Sequence, residues 1–222
     1  MTFTIFQNET TAILGKNGTG KTTLLKVLLG ENLLRSGRVE FQGIPLSALP
    51  LSTLATKIAY LPQEQTYPSH LRLIHYLQLA YLGRMGFFRP LPENATEEIE
   101  AMAAQFHLTS LLTRKLGEMS TGERQKSFLA RTLLQKTEVL ILDEPTNHLD
   151  PSAINEFWTL LEQARSATPL SIVVSSHDLS FMKRLSHRII AMGPGGLIAS
   201  SDTESFFASG GITKVYGEIR AS

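Results

Sequence analysis

A glycine-rich segment of this chain has the residue types and the spacing that phosphate binding requires. It reads Gly15-Lys16-Asn17-Gly18-Thr19-Gly20-Lys21-Thr22-Thr23 and matches the pattern Gly-x4-Gly-Lys-Thr. Glycines leave room for a phosphate, and the backbone N–H groups and the start of the following helix favour an anion. Lys21 is expected to reach the β- and γ-phosphates of a nucleotide, Thr22 to bind Mg²⁺, and Thr23 to lie near the α-phosphate. A glycine-rich turn without a ligand is the alternative, and the flanking strand and helix argue against it.

An acidic pair at the end of an apolar strand supplies complementary chemistry. Asp143 and Glu144 follow Val139-Leu140-Ile141-Leu142, and ligands of open α/β sheets bind at the carboxyl ends of strands. We expect Asp143 to hold Mg²⁺, directly or through water. Glu144 is expected to polarise the water that attacks the γ-phosphate. An ordinary buried strand with an aspartate cap is the structural alternative.

Three further short patterns stand in order around these two. Gln63 follows Tyr60-Leu61-Pro62, the run Met119-Ser120-Thr121-Gly122-Glu123 opens a helix, and Ser175-Ser176-His177-Asp178 follows an apolar strand. Ser120 and Glu123 also fit a helix capping box, which is compatible with a phosphate contact at the same helix end. A lone glutamine or histidine would indicate nothing, so the order of the patterns is what gives them weight.

Together the five patterns resemble the ATP-binding cassette (ABC) family over nearly the whole chain, from Thr11 to about Gly217. The resemblance implies an ATPase that works as a homodimer with two ATP molecules, each with Mg²⁺, at its interface. It implies catalytic roles for Lys21, Gln63, Glu144 and His177, metal ligation by Thr22, Gln63 and Asp143, and ATP contacts from Ser120, Gly122, Glu123 and Asp150. The signature of the family is usually Leu-Ser-Gly-Gly-Gln, and this chain departs from it at Met119, Thr121 and Glu123.

Composition and charge limit the other classes of protein. The chain has 222 residues, a formal net charge of +1 and no cysteine. Near-neutral charge gives no indication of a nucleic-acid partner, and the lack of cysteine excludes disulfides and thiolate metal sites. The N-terminus does not resemble a signal peptide, and apolar runs such as Val139–Leu142 are too short to span a bilayer. If the protein serves a membrane, another chain is expected to cross it.

Apolar periodicity predicts an α/β fold. The predicted strands are Thr11–Leu14, Arg38–Gln42, Lys57–Leu61, Glu138–Leu142, Leu170–Ser175 and Arg188–Met192. The predicted helices are Lys21–Leu29, Leu71–Leu82, Glu93–Phe106, Gly122–Gln135, Ser152–Ala164 and Leu179–Leu185. Strands that are apolar on both faces and alternate with helices indicate a mostly parallel sheet. We therefore expect a single domain, 1–222, in which a helical subdomain at about 68–134 is inserted into the α/β core. The resemblance to the ABC family implies that this core is a P-loop NTPase with a small, shortened N-terminal antiparallel part.

One departure from the family concerns the N-terminus. Members usually have about two more strands before the phosphate loop, including an aromatic residue that stacks on adenine. Here 14 residues precede Gly15. Phe3, Phe6 or the partner subunit would have to supply that aromatic, which puts nucleotide affinity or base selectivity in question. An N-terminally truncated gene product is the other interpretation.

Some details resemble one branch of the family, the ATPases of bacterial importers for iron–siderophore, haem and cobalamin. They are Ser36-Gly37-Arg38-Val39, the segments 57–63 and 143–150, and Val215-Tyr216-Gly217. This resemblance implies integral membrane permease subunits and, through them, a periplasmic or lipoprotein substrate-binding protein. It also implies a peripheral location on the cytoplasmic face of the inner membrane. Gly86-Phe87-Phe88, in a predicted loop from Gly83 to Pro90, is a candidate contact for the permease.

Two other classes of protein compete with the importer. One is a soluble cassette ATPase that acts on ribosomes or DNA, although such proteins usually carry two cassettes or a long coiled coil. The other is a binding module without activity, against which Lys21, Asp143, Glu144 and His177 all argue. The transported substrate is not encoded in these motifs, because membrane and binding-protein subunits select it in importers.

Overall fold

The computed structural model describes residues 2–31, 36–85 and 90–217. Gly86-Phe87-Phe88 lies outside this part of the chain. The strands are β1 (Thr10–Leu14), β2 (Glu40–Phe41), β3 (Ile44–Pro45), β4 (Ile58–Leu61), β5 (Val139–Asp143), β6 (Ser171–Ser175), β7 (Arg188–Gly193) and β8 (Gly196–Asp202). The α-helices are α1 (Lys21–Leu28), α2 (Leu51–Lys57), α3 (Leu73–Gln78), α4 (Ala80–Met85), α5 (Ala95–Gln105), α6 (Thr121–Leu134), α7 (Pro151–Ala167), α8 (Leu179–Leu185), α9 (Thr203–Ala208) and α10 (Gly211–Tyr216). Short 3-10 turns span Leu46–Ala48, Thr109–Leu111 and Leu116–Glu118.

The chain forms two units of mutually contacting residues. The first comprises Met1–Leu54, Ile141–Pro145 and Leu170–Ser222. The second comprises Ala55–Leu140 and Thr146–Pro169. The predicted helical segment, 68–134, falls within the second unit.

A parallel sheet forms the core of the first unit. Its strands follow the order β5-β6-β1-β7-β8. β1 pairs in parallel with β6 and with β7, so that Ala12 lies beside Val174 on one side and Ile189 on the other. Every residue of β1 and β6 is buried, as expected for parallel strands covered on both faces. β8 adds an antiparallel edge strand beside β7.

The small antiparallel part of the first unit is the hairpin of β2 and β3. Phe41 pairs with Ile44, and the two residues between them, Gln42 and Gly43, have φ values of 51° and 80°. Two consecutive positive φ angles give a tight hairpin turn whose twist suits antiparallel strands. The prediction of a mixed fold with a mostly parallel sheet and a small antiparallel part is confirmed.

Helices pack around α6 in the second unit. Apolar residues of α3, α5 and α6 are fully buried, among them Leu77, Ala103 and Leu129. Helix α6 begins at a capping box. Ser120 Oγ accepts from Glu123 N–H at 3.2 Å, and Glu123 Oε2 accepts from Ser120 N–H at 2.7 Å. α7 begins in a similar way, because Asp150 Oδ1 accepts from the N–H groups of Ser152 and Ala153. Side-chain caps of this kind define where each helix starts.

Several predicted elements differ from the structure. The predicted helix Leu71–Leu82 is divided into α3 and α4 at Leu79, and α4 continues to Met85 into the predicted loop. The predicted strand Arg38–Gln42 shortens to β2. Lys57 ends α2 rather than beginning a strand. α2, β8, α9 and α10 were not predicted, because their apolar residues are few and lack a clear helical or strand period.

Glu98 of α5 joins three segments of the second unit. Its carboxylate accepts from the Tyr81 hydroxyl at 2.9 Å, from Arg84 Nη1 at 3.2 Å and from Lys136 Nζ at 2.5 Å. Partial burial raises the pKa of Glu98, but Lys136, Tyr81 and Arg84 outweigh it, so the pKa lies below that of an ordinary glutamate. The ionised form therefore stabilises the folded state.

We predict that Glu98→Gln lowers the free energy of unfolding at pH 7 by about 1–2 kcal/mol, because charged hydrogen bonds become neutral ones. The folded pKa is depressed, so this stabilisation is present above the unfolded pKa of about 4.3 and is lost as the pH falls through the folded value. Urea unfolding between pH 7 and pH 3.5 measures both effects. Glu97→Gln, at an exposed position of the same helix, is the control. A deficit of equal size in both variants would contradict the role of Glu98.

Candidate nucleotide-binding site

The phosphate loop connects β1 to α1 and depends on its glycines. Gly18 and Gly20 have φ values of 80° and 94°, a region that residues with a Cβ atom seldom occupy. A Cβ on Gly15 would lie 2.6 Å from Thr19 Oγ1 and 2.8 Å from the Met192 carbonyl oxygen. No side chain among the described residues caps the first turn of α1. The N–H groups of that turn and the positive end of the helix are therefore suited to an anion.

Lys21 brings the cationic charge of the site. It is buried, and its ammonium donates to the Gly15 carbonyl oxygen at 2.8 Å. The same Nζ lies 3.3 Å from Glu144 Oε1. The lysine that the sequence assigns to the phosphates is thus held at the start of the loop.

Glu144 is the centre of the ionisable groups in the first unit. Besides Lys21, it contacts His177, whose Nδ1 lies 2.8 Å from Glu144 Oε2. The His177 side chain is 65% exposed, whereas that of Glu144 is 6% exposed, so the histidine lies on the surface of this unit and the carboxylate beneath it. Glu144 also has a φ of 45°. A glutamate in the left-handed region costs about 1–3 kcal/mol, and such strain occurs most often at functional sites.

Ser175, at the end of β6, orients both acidic residues. Its Oγ accepts from the Glu144 N–H at 2.9 Å and donates to Asp143 Oδ1 at 2.5 Å. The Ser175 carbonyl oxygen also accepts from the Glu144 N–H, at 3.1 Å. No role was predicted for Ser175 from the sequence. A small hydroxyl residue at the end of a buried strand, two positions before His177, was the available signal.

Asp143 is suited to act as a metal ligand. It is buried, and its second oxygen, Oδ2, has no hydrogen-bond partner among the described residues. An orphaned buried carboxylate oxygen is costly unless something binds it. Carboxylate, hydroxyl and water oxygens are the ligands that Mg²⁺ prefers, and Thr22, near the start of α1, offers the hydroxyl.

The remaining predicted site residues belong to the second unit. Gln63 is exposed and follows β4. Ser120 and Glu123 form the capping box of α6, and Asp150 caps α7. A Cβ on Gly122 would meet Ala153 at 3.6 Å, an ordinary contact. The structure thus brings together Gly15, Lys21, Asp143, Glu144 and His177 in the first unit. It places Ser120 and Glu123 together in the second.

Two aromatic residues of the first unit differ in their distance from the phosphate loop. The Phe6 ring lies 4.0 Å from the Arg188 guanidinium carbon. Arg188 pairs with Thr11 at the start of β1, so Phe6 lies near the opposite end of that strand from the phosphate loop. Tyr216 of α10 does lie near the loop. Burial raises the pKa of its phenol, the backbone N–H of Gly15 lowers it, and the charge of Glu144 raises it.

Comparison with known proteins identifies the family. The family model described as ABC transporter matches residues 1–147, and the chain belongs to this family. It is 33% identical to the probable siderophore transport system ATP-binding protein YusV of Bacillus subtilis, over 86% of this chain and 70% of that protein. It is 34% identical to the vitamin B12 import ATP-binding protein BtuD of Escherichia coli, over 92% of this chain and 81% of that protein. Relatives of 32% and 30% identity are named for import of zinc and of thiamine.

A solved structure gives the same fold. The ATP-binding subunit of an ABC transporter superimposes with a TM-score of 0.81 at 24% identity, covering 96% of this chain and 89% of that one. The P-loop NTPase fold is confirmed, and membership of the family establishes that the chain binds ATP. The described residues include no helix that is long and apolar enough to cross a membrane.

We predict that Ser175→Ala lowers the steady-state rate of ATP hydrolysis about tenfold or more. Its hydroxyl bonds a carboxylate, and a hydrogen bond to a charged group is worth about 1.5–3 kcal/mol. Ser176→Ala is the matched control, because among the described residues the hydroxyl of that buried neighbour bonds the N–H of Asp178 and neither acidic residue. Phosphate release assays on both variants make the comparison. Equal losses in the two variants would show that Ser175 has no special part in orienting the acidic pair.

Proposed function

We propose that this protein is the ATP-hydrolysing subunit of a bacterial ABC importer, and that two copies close over two Mg-ATP molecules. The observation that carries the catalytic part is the contact of the buried Glu144 carboxylate with buried Lys21 and with the exposed His177. It places a cation, a carboxylate and an imidazole at the end of the sheet that carries the phosphate loop. Those groups fit the hydrolysis of a γ-phosphate.

Each group has a distinct part in the proposed reaction. The N–H groups of Gly15–Thr23 and the ammonium of Lys21 hold the phosphates. Glu144 orients the attacking water, and His177 contacts the γ-phosphate from the surface side. Thr22, Asp143 and Gln63 would hold Mg²⁺, which when bound neutralises charge on the β- and γ-phosphate oxygens. Catalysis then consists mainly of positioning and of electrostatic stabilisation.

The second copy is proposed to complete each site. Ser120 and Gly122 stand at the start of α6, a helix of 14 residues, and a helix N-terminus attracts an anion. In the proposed dimer this end of α6 faces the γ-phosphate held by the partner, with Glu123 and Asp150 close by. The capping box supports this role, because it fixes the backbone at the point where the phosphate would bind.

The importer assignment rests on the relatives. Those with the highest identity reported above are named for siderophore and for vitamin B12 transport. We therefore propose an iron–siderophore, haem or cobalamin importer, with permease subunits in the membrane, a substrate-binding protein outside it, and this chain on the cytoplasmic face. An ATPase of ribosomes or DNA is not favoured, since these relatives are import proteins and the net charge is +1.

We predict that Glu144→Gln retains ATP binding, nearly abolishes turnover, and forms a dimer that is stable in ATP but not in ADP. The amide keeps the size of the side chain but cannot act as a base toward water. Analytical ultracentrifugation with each nucleotide, together with a phosphate release assay, measures the three properties. Turnover at the wild-type rate would remove Glu144 from its proposed role.

Two control variants separate the halves of the proposed site. Lys21→Ala should lose ATP binding to the monomer, because it removes the cation of the phosphate loop. Ser120→Arg should leave that binding intact and prevent both dimer formation and hydrolysis, because it obstructs the surface offered to the partner. Loss of monomer binding in Ser120→Arg would mean that the signature supports the local fold rather than the second site.

The importer assignment has its own test. The tagged chain is purified from detergent-solubilised membranes of its host, and co-purifying proteins are identified by mass spectrometry. We expect a polytopic membrane protein in stoichiometric amount, and the substrate of a binding protein associated with it would narrow the cargo. Recovery only in the soluble fraction, or with ribosomal proteins, would overturn the importer while leaving the ATPase chemistry in place.

A further inference from the structure

Arg124 bonds to both residues that flank Ser120, to the backbone of Met119 and to the side chain of Thr121. It lies in the first turns of α6, where its Nη1 donates to the carbonyl oxygen of Met119. Its Nη2 donates to Thr121 Oγ1 at 3.2 Å. The guanidinium is planar and holds its two donors in fixed directions, so it sets the conformation of the signature. The capping box joins Ser120 to Glu123 and does not include Met119.

The same guanidinium lies over the ring of Tyr67. Its central carbon is 5.5 Å from the ring centroid, within the range of a cation–π contact. Tyr67 is four residues after Gln63, at the end of the segment Gln63–Tyr67, which we call the Q segment. The Arg124 guanidinium thus donates hydrogen bonds to the signature and stacks over the Tyr67 ring of the Q segment.

Packed aromatic rings hold the Q segment against α6, with Phe128 and Tyr76 buried and Tyr67 half-buried. Tyr67 packs on Phe128 with a centroid distance of 5.5 Å, and Phe128 packs on Tyr76 at 5.6 Å. Phe128 and Tyr76 are 5% and 2% exposed, so the contacts lie in the core of the unit. The Tyr76 hydroxyl donates to Gln65 Oε1 at 3.4 Å. Burial raises the pKa of Tyr76 to about 12, against the opposing charge of Arg131, so the phenol keeps its proton and remains a donor.

We propose that Tyr67 and Arg124 are positioning residues that connect the Q segment to the signature of the same copy. The inference rests on the proposed function, in which Gln63 helps to hold the Mg²⁺ of one ATP and Ser120 acts on the partner's ATP. A shift of Gln63 displaces Tyr67, because only three residues lie between them, and close packing of the ring transmits the displacement instead of absorbing it. Tyr67 contacts Arg124, and Arg124 is bonded to the carbonyl of Met119 and the hydroxyl of Thr121, the two residues that flank Ser120. Occupation of one ATP site thereby sets the signature presented to the other.

The test is a double-mutant cycle in the Glu144→Gln background, read as the ATP-dependent dimer dissociation constant. Tyr67→Leu removes the aromatic face but keeps an apolar side chain, and Arg124→Ala removes the guanidinium. We expect each to weaken dimerisation about tenfold, a size set by one cation–π contact and one charge-assisted hydrogen bond. The double variant should be no weaker than the worse single variant. ATP binding to the monomer should stay within about twofold, because neither residue belongs to the phosphate loop.

Two controls distinguish positioning from general stability. Tyr67→Phe keeps the ring and should restore dimerisation to the level of the parent. Arg84→Ala removes another guanidinium that lies over a tyrosine ring of the same unit, 5.1 Å from the centroid of Tyr81, and should leave the dimer constant unchanged even if it lowers the melting temperature.

Three outcomes would overturn the connection: additive losses in the double variant, Tyr67→Phe as weak as Tyr67→Leu, or a loss in Arg84→Ala equal to that in Arg124→Ala. A Glu144→Gln parent that fails to dimerise in ATP would overturn the proposed function and this inference with it. A parent that dimerises while the cycle is additive would overturn the inference alone.

Discussion

The first unit depends on keeping Lys21, Asp143 and Glu144 ionisable although all three are buried. Removing such groups from water costs several kcal/mol each unless partners replace the lost hydration, on the order of the penalties known for buried ion pairs. The structure supplies those partners from three directions. Gly15 receives the ammonium, Ser175 binds both acidic residues, and His177 covers the second oxygen of Glu144. Each partner stands at the end of a strand or at the start of the phosphate loop, so the sheet is what brings them together.

This constraint explains features that would otherwise be defects. The left-handed backbone of Glu144 directs its N–H toward Ser175, and the hydrogen bonds there offset the strain. The unpartnered Oδ2 of Asp143 would be destabilising in a protein with no ligand for it. Both features are consistent with a site selected for binding and chemistry rather than for stability alone.

The sequence predicts those features in which a residue type is required by the conformation of its own short segment. The glycines of the phosphate loop could be predicted because positive φ angles and close backbone approach exclude other residues. The capping box at Ser120 and Glu123 could be predicted because it closes within one helical turn. The role of Ser175 could not, since its partner Glu144 lies 31 positions away along the chain. The break of the predicted helix at Leu79 follows from tertiary packing, which overrides a continuous apolar period.

The residues proposed to act on ATP are divided between the two units, and the second unit must therefore connect two of them firmly. Gln63 and Ser120 both belong to it, whereas Lys21, Asp143 and Glu144 belong to the first. A nucleotide that acts on Gln63 would shift this side chain by a distance no larger than the length of a hydrogen bond. A flexible connection between Gln63 and Ser120 would absorb so small a shift. Close-packed interiors transmit such small shifts because they have few voids and low compressibility. The rings of Tyr67, Phe128 and Tyr76, with Arg124 over the ring of Tyr67, provide a connection of that kind. Their packing is therefore as much a mechanical property of the second unit as a source of its stability.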